Sequence, residues 1–138
     1  MNTAILEAIP QRPPFLFVDE IVNQTETSIV TKKYLSKDLD FFKGHFPENP
    51  IMPGVLLCEC CFQTGAILMN GSVMENHVGV VTRIKDTKFK KFARPGDTLF
   101  IHVELTDKIK NAFYMTGKIL VNDQTIMLVK FQGALTLA

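Results

Sequence analysis

Apolar positions along this chain change their spacing once. Up to about residue 70 they come in short blocks divided by prolines, and then in one long run; from residue 78 they fall into extended runs parted by short breaks. The first block, TAILEAI at 3–9, predicts a short helix capped by Thr3 and stopped by Pro10, Pro13 and Pro14. FLFVDEIV at 15–22 and SIVTKKYL at 28–35 are rich in strand formers, and the polar NQTET between them fits a hairpin turn. Residues 36–53, punctuated by Gly44, Pro47, Asn49, Pro50 and Pro53, read as a loop.

The long run is GVLLCECCFQTGAILMN at 54–70, with Pro53 before it and Gly71 after. Its length favours helix over strand, and proline at the start with Asn-Gly at the end suits helix termini. It is apolar on nearly every face, which predicts burial on nearly every face. Four extended runs follow, VGVVTRIKDTKFKKF, TLFIHVELTDKI, AFYMTGKILV and TIMLVKFQGALTL, divided by ARPGD at 93–97, KN at 110–111 and ND at 122–123. Breaks this short join antiparallel neighbours. The order is two strands, a buried helix, then four strands. A curved antiparallel sheet wrapped around the helix covers it best, so the expected class is α+β. No repeat or boundary divides the chain, so residues 1–138 read as a single domain.

Composition narrows the function classes. Hydrophobic residues make up 46% and charged residues 21% of 138, which is ordinary globular usage and enough for a sizeable core. With 15 basic and 14 acidic residues the net charge is +1, so bulk attraction to nucleic acid is not expected. The N-terminus has neither the basic start nor the apolar stretch of a leader, and no run reaches the roughly 18 apolar residues of a membrane span. The expectation is a cytoplasmic protein. Cys58, Cys60 and Cys61 lie within one helical turn or so, with no second cysteine group to complete a zinc site. They read as small buried residues in a reducing compartment. No phosphate loop and no metal-ligand cluster is visible.

The candidate chemistry is concentrated in GHFPENPIMPGVLLCECCFQ, residues 44–63. Glu59 stands inside the apolar run. A carboxyl there is costly unless paired, hydrogen-bonded or protonated, and a raised pKa would suit a general acid near neutral pH. The bland alternative, a Glu59 turned to solvent or in a salt bridge, weighs equally on spacing alone. Gln63 is one turn further on the same helix face, placed to hydrogen-bond or orient Glu59. His45 sits in a loop pinned by prolines. Histidine is the natural acid or base at this pH, although a lone loop histidine is more often incidental. His77, in a polar turn, and His102, in an alternating strand, are weaker candidates. Gly54 opens the helix, where backbone N–H groups lack partners and a ligand can approach; its bland reading is a turn residue. A base, an acid and a carbonyl-binding helix end are what loss of water from a β-hydroxy carbonyl compound requires.

The same stretch resembles the signature of the FabZ-type (3R)-3-hydroxyacyl-[acyl-carrier-protein] dehydratases, roughly GHFPGxPIxPGVLxxEAMAQ, without a gap. QRPPFLFVDEI at 11–21 is similar to the family's HRxPFLLVDRV, and DTKFKKFARPGD at 86–97 to its xxKFxxPVxPGD. The resemblance implies the hot-dog fold, a long helix wrapped by an antiparallel sheet. It implies a homodimer with active sites at the interface, His45 of one subunit as base and Glu59 of the other as acid, and it allows a trimer of dimers. Gly54 matches the glycine whose N–H contacts the thioester carbonyl, and Gln63 the glutamine after the acid; Phe46 and Val55, beside them, are expected to line the substrate site. Glu59 would then face an apolar tunnel for an acyl chain. The FabA-type enzymes, which also isomerise the double bond, carry aspartate at the acid position, so glutamate argues for dehydration alone. The chemistry needs no cofactor and no metal.

Glu48, Phe62 and Gln11 depart from the pattern, standing where the family has glycine, a small residue and histidine. The partner implied is acyl carrier protein, an acidic protein. Lys88, Lys90, Lys91 and Arg94 would meet it, with alternation placing Lys88 and Lys90 on one strand face; a merely solvated face is the equal alternative. Competing readings are an acyl thioesterase, with a carboxylate assisting water, and a non-catalytic acyl-thioester-binding subunit. Keeping both His45 and Glu59 favours dehydration.

Overall fold

The long apolar run forms the helix that its length predicts, and the alternating runs form the sheet that covers it. A computed structural model describes residues 2–72 and 76–137. In chain order the elements are α1 (Thr3–Ala8), β1 (Glu20–Gln24), β2 (Ser28–Tyr34), α2 (Asp40–Gly44), α3 (Gly54–Leu68), a single 3-10 turn (Asn70–Ser72), β3 (His77–Phe89), β4 (Thr98–Ile109), β5 (Ala112–Val121) and β6 (Gln124–Leu137). The six strands make one antiparallel sheet in the order β1-β2-β4-β5-β6-β3. The β5–β6 hairpin turns on Asn122 and Asp123, with φ of 51° and 62°. That is the left-handed pair a tight hairpin requires, and Asn and Asp adopt it more readily than most residues.

The strands show period two. Leu99, Ile101 and Val103 of β4 face inward, as do Phe113, Met115 and Ile119 of β5 and Val129 and Phe131 of β6. They meet Leu57, Cys60, Cys61, Thr64 and Leu68 of α3 in one continuous core. Each large side chain so buried contributes about 1.5–3 kcal/mol. Helix and sheet approach closely because two glycines lack side chains: a Cβ on Gly117 would lie 2.9 Å from Cys61 Sγ, and one on Gly65 would lie 2.7 Å from Met115 Sδ. The fully buried hydroxyls of Thr31 and Thr64 satisfy one another at 2.7 Å across the same gap.

Several expectations change. Asn2, not Thr3, caps α1: its Oδ1 accepts from the N–H groups of Ala4 and Ile5 at 3.1 and 3.4 Å. The strand expected at 15–22 starts only at Glu20, because Phe17 and Val18 are buried without joining a ladder. The loop at 36–53 contains α2, which packs Phe42 into the core. His77 opens β3, opposite Leu137, rather than lying in a turn. β3 ends at Phe89, after a register shift between Lys85 and Lys88. Lys90 therefore lies beyond the strand and does not share a strand face with Lys88. Along β3, at the sheet edge, Val78, Val80, Val81 and Ile84 are all exposed. Among the described residues no helix is long and apolar enough to cross a membrane.

Candidate active site

The helix α3 is not buried on every side. Its incompletely buried residues include Val55, Glu59, Phe62 and Ala66. Spacings of four, three and four residues put them on one stripe of the helix. The protein's own sheet covers the rest of α3 and leaves this stripe to something else. Glu59 is the only ionisable group on it.

Glu59 is held by Gln63, whose Nε2 donates to Glu59 Oε2 at 3.0 Å. Gln63 is itself 1% exposed and fully engaged. Its Nε2 also donates to the Phe15 carbonyl at 2.8 Å, and its Oε1 accepts from the Phe17 N–H at 2.9 Å. Two acceptors on one side and one donor on the other leave a single consistent orientation of the amide. This explains why 15–17 forms no strand there: its backbone groups bond a side chain of the helix instead. Burial pushes the Glu59 carboxyl above its usual range, and the Gln63 hydrogen bond opposes that shift without cancelling it.

His45 is positioned from the loop after α2. Its N–H closes the last turn of α2 on the Phe41 carbonyl at 3.0 Å. Its Nδ1 lies 2.9 Å from the Ile51 carbonyl. A carbonyl only accepts, so Nδ1 is the donor, and in the neutral ring that leaves the lone pair on Nε2. Phe46 packs edge-on against the imidazole, ring centres 4.7 Å apart, from a backbone φ of 53°. A bulky side chain in that region is strained, and such strain collects where geometry matters. The loop is tied to the turn before β4: Met52 N–H donates to Ala93 O at 2.8 Å, and Arg94 donates to Asn49 Oδ1 at 2.7 Å.

His45 and Glu59 thus hang from different frameworks, and among the described residues no bond or shared partner joins them. Gly54 stands at the start of α3, and the space a side chain would take is held by the ring of Phe89, 3.0 Å from the ideal Cβ position. This contact between the helix start and the end of β3 was not legible in the sequence; a phenylalanine at a strand end carries no such signal. Val55 and Phe46, 73% and 60% exposed, flank the site with Phe89 and Phe92. Apolar surface so grouped marks an interaction face. Of the basic cluster, Lys88 and Lys90 are exposed, Lys91 bonds Gln124, and Arg94 bonds Asn49 and lies over the Phe92 ring. Glu48 is exposed beside the His45 loop. His102 lies on β4, opposite Lys118, remote in the sheet from both residues; burial and that lysine lower its pKa. Cys58, Cys60 and Cys61 are free and buried, and burial raises their thiol pKa values, so all three are poor nucleophiles.

Two cavities flank the Glu59 stripe. One, about 390 Å³, is lined along α3 by Phe62, Ala66 and Met69 and reaches Gln11 and β3. The other, about 680 Å³, lies between Leu56, residues 13–19 and α2. Neither is walled by Glu59 or His45.

Residues 9–130 match the FabA-like domain family. A "3-hydroxyacyl-[acyl-carrier-protein] dehydratase FabZ" of Petrotoga mobilis is 40% identical over 120 residues, covering 87% of this chain and 86% of that protein. One of the same name from Fusobacterium nucleatum is 41% identical over 133 residues, covering 92% and 91%. Among solved structures, the dehydratase heterocomplex ApeI:P of Xenorhabdus doucetiae superposes with a TM-score of 0.83 over 96% of this chain and 90% of that one, at 12% identity. That likeness bears on the fold alone, and the fold is the wrapped helix expected from the hot-dog resemblance.

Proposed function

This chain belongs to the FabA-like domain family, and from that premise we propose that it removes water from (3R)-3-hydroxyacyl thioesters on acyl carrier protein, yielding trans-2-enoyl thioesters for fatty-acid or related lipid or polyketide synthesis. The observation that carries the reading is the Glu59 carboxyl, raised by burial and aimed by Gln63, on the one uncovered stripe of α3. A carboxyl whose pKa is raised holds its proton to higher pH than a free one, which is what a proton donor needs.

His45 Nε2 takes the proton next to the thioester carbonyl. The electron pair moves onto the carbonyl oxygen, steadied by the N–H of Gly54 at the start of α3. As the pair returns to form the double bond, the C–O bond breaks and Glu59 protonates the departing hydroxyl, giving water. A proton passed from His45 back to Glu59 resets the site. Phe46 and Val55 line the entry. None of these steps uses a cofactor or metal.

The separate anchoring of the two groups supports a site completed by a second copy. The exposed edge of β3 and the uncovered stripe of α3 are where it docks, bringing His45 of one subunit to Glu59 of its partner. The working unit is a homodimer in the cytoplasm, each subunit acting as a single domain. Acyl carrier protein docks on Lys88 and Lys90, the free members of the basic cluster, with Lys91 and Arg94 behind them. The relatives' names favour dehydration over the thioesterase and non-catalytic readings.

The test is the mass of a short (3R)-3-hydroxyacyl-[acyl-carrier-protein] after incubation with wild type and with Glu59→Gln. Loss of one water with wild type and not with the variant is expected. Release of a free acid would make it a thioesterase, and an unchanged thioester that still binds would make it a non-catalytic subunit.

A further inference from the structure

The basic cluster after β3 has an aromatic ring in its midst. Phe92 stands between Lys90, Lys91 and Arg94, and at 64% it is the most exposed phenylalanine of the described residues. In the family pattern xxKFxxPVxPGD a proline holds this position, so the ring is a departure of this chain. A single apolar side chain at a surface needs no explanation. Phe92 calls for one because the structure on either side fixes it there. Before it, the N–H groups of Lys90 and Lys91 both donate to the Ile126 carbonyl, at 2.7 and 3.2 Å; after it, the Ala93 carbonyl accepts from the Met52 N–H at 2.8 Å. Ala93 is fully buried, while its neighbours Phe92 and Arg94 are exposed. The Arg94 guanidinium lies over the ring, 5.4 Å from its centre, and is itself tied to Asn49 Oδ1 at 2.7 Å. The ring is therefore braced in solvent, with little freedom left to lose on binding.

Its place in the fold and the charge around it say what covers it. After Phe89 the chain leaves the free edge of β3 and crosses the end of the sheet. There Gly96 N–H donates to Leu35 O at 2.7 Å, and Leu35 N–H to Asp97 O at 2.9 Å. Leu35 directly follows β2, which lies towards the opposite edge of the sheet, so this turn runs away from the edge given to the second copy. None of Lys90, Lys91 and Arg94 forms a salt bridge among the described residues. The acids close to them are Glu48, exposed next to Asn49, and Asp97, which accepts from the Arg94 N–H, so the balance stays positive. An aromatic centre with a cationic rim suits an acidic protein that offers an apolar spot. The turn also shares its support with the base. Asn49 and Met52 belong to the loop whose Ile51 carbonyl holds His45, so a protein seated on Phe92 presents its tethered thioester beside that loop.

We propose that Phe92 is a specificity-determining residue, the apolar anchor by which the acidic carrier protein is preferred over the same thioester on pantetheine alone. This rests on the dehydratase reading for the identity of the carrier. The ring touches the carrier and not the reacting atoms, so its effect falls on KM rather than kcat.

Two measurements decide it. The first compares kcat and KM for one 3-hydroxydecanoyl group on acyl carrier protein and on pantetheine, in wild type and Phe92→Ala. The ratio of kcat/KM, carrier over pantetheine, should fall about tenfold to thirtyfold in the variant, through KM, and recover in Phe92→Tyr. The second is calorimetric binding of decanoyl-[acyl-carrier-protein], which has no hydroxyl to lose, at low and at high salt. Phe92→Ala should weaken it by a similar factor at both, whereas Lys90→Gln should weaken it chiefly at low salt. If wild type dehydrates neither substrate, the reading of the reaction fails while binding still decides the role of Phe92. Carrier that does not bind wild type, or binds Phe92→Ala equally well, overturns the proposal. An equal loss on carrier and pantetheine substrates does the same, placing Phe92 on the thioester's own path or in the fold. So does a Phe92→Ala protein whose sedimentation shows altered subunit assembly, which would give the ring to the second copy.

Discussion

Glu59 and His45 are fixed in opposite ways. Glu59 comes from the longest helix and is gripped by a buried side chain, Gln63, which reaches 46 and 48 residues back to the backbone of Phe17 and Phe15. His45 comes from a loop, gripped by one backbone carbonyl six residues on, with the loop tied at Ala93 and Arg94. The difference follows from what each group needs. An acid whose pKa must lie above the usual carboxylate range needs desolvation, which partial burial on the helix provides. A base needs a free ring nitrogen, and a single carbonyl on the other nitrogen secures that. Different partners hold the two groups, so the proposed shared site can be tested by asking whether they act from one chain or from two.

The largest effect tests that division. His45→Ala and Glu59→Gln should each lower kcat by about a hundredfold to ten-thousandfold. Mixing the two inactive proteins under conditions that let subunits exchange should restore activity. A mixed dimer has one site lacking both groups and one with both intact. Were the pair to act within one chain, every site in the mixture would lack one group and the activity would stay at the level of the variants.

A smaller effect contrasts the two grips. Gln63→Leu leaves the Phe15 carbonyl and the buried Phe17 N–H without partners, which should cost about 2–4 kcal/mol of stability in urea titration. Asn49→Ala breaks one exposed bond to Arg94 and should cost under about 1 kcal/mol while still lowering activity, because it loosens the His45 loop. Comparable losses of stability from both would mean that the two frameworks are equally structural and the contrast is false.

Much of this was legible along the chain. The length of the 54–70 run, the alternation after it and the Asn122-Asp123 turn carried the helix, the sheet and its last hairpin. The gapless spacing from His45 to Glu59 carried the candidate pair. What failed were segments governed by distant partners. FLF at 15–17 has strand composition, yet its backbone belongs to Gln63, and no local pattern records a bond made 46 or 48 residues away. The capping oxygen of Asn2 and the helical turn at Asp40–Gly44 were masked by neighbours with equal propensities. The uncovered stripe on α3 was hidden because Val55, Phe62 and Ala66 are as apolar as the buried positions. Hydrophobicity says that a face will be covered, not whether the same chain covers it.

The smallest effect concerns the acid alone. Burial raises the folded pKa of Glu59 above 4.5, so the folded protein holds this proton more tightly than the unfolded chain. The carboxyl therefore contributes nothing adverse below pH 4.5, where both states are protonated. Its cost appears as pH rises through the folded value, where folding must bury a charge. Glu59→Gln has no such charge, and its amide oxygen can still accept from Gln63. The variant should gain stability over wild type as pH rises from acid to neutral, and the gap should close again on acidification. The gain should be less than the loss from Gln63→Leu, because Glu59 is half-buried and solvent screens part of its charge. Urea titrations of both proteins across this pH range measure it. A gap that shrinks with rising pH would mean that the Gln63 bond outweighs desolvation, leaving an ionised carboxylate that the proposed acid role does not tolerate.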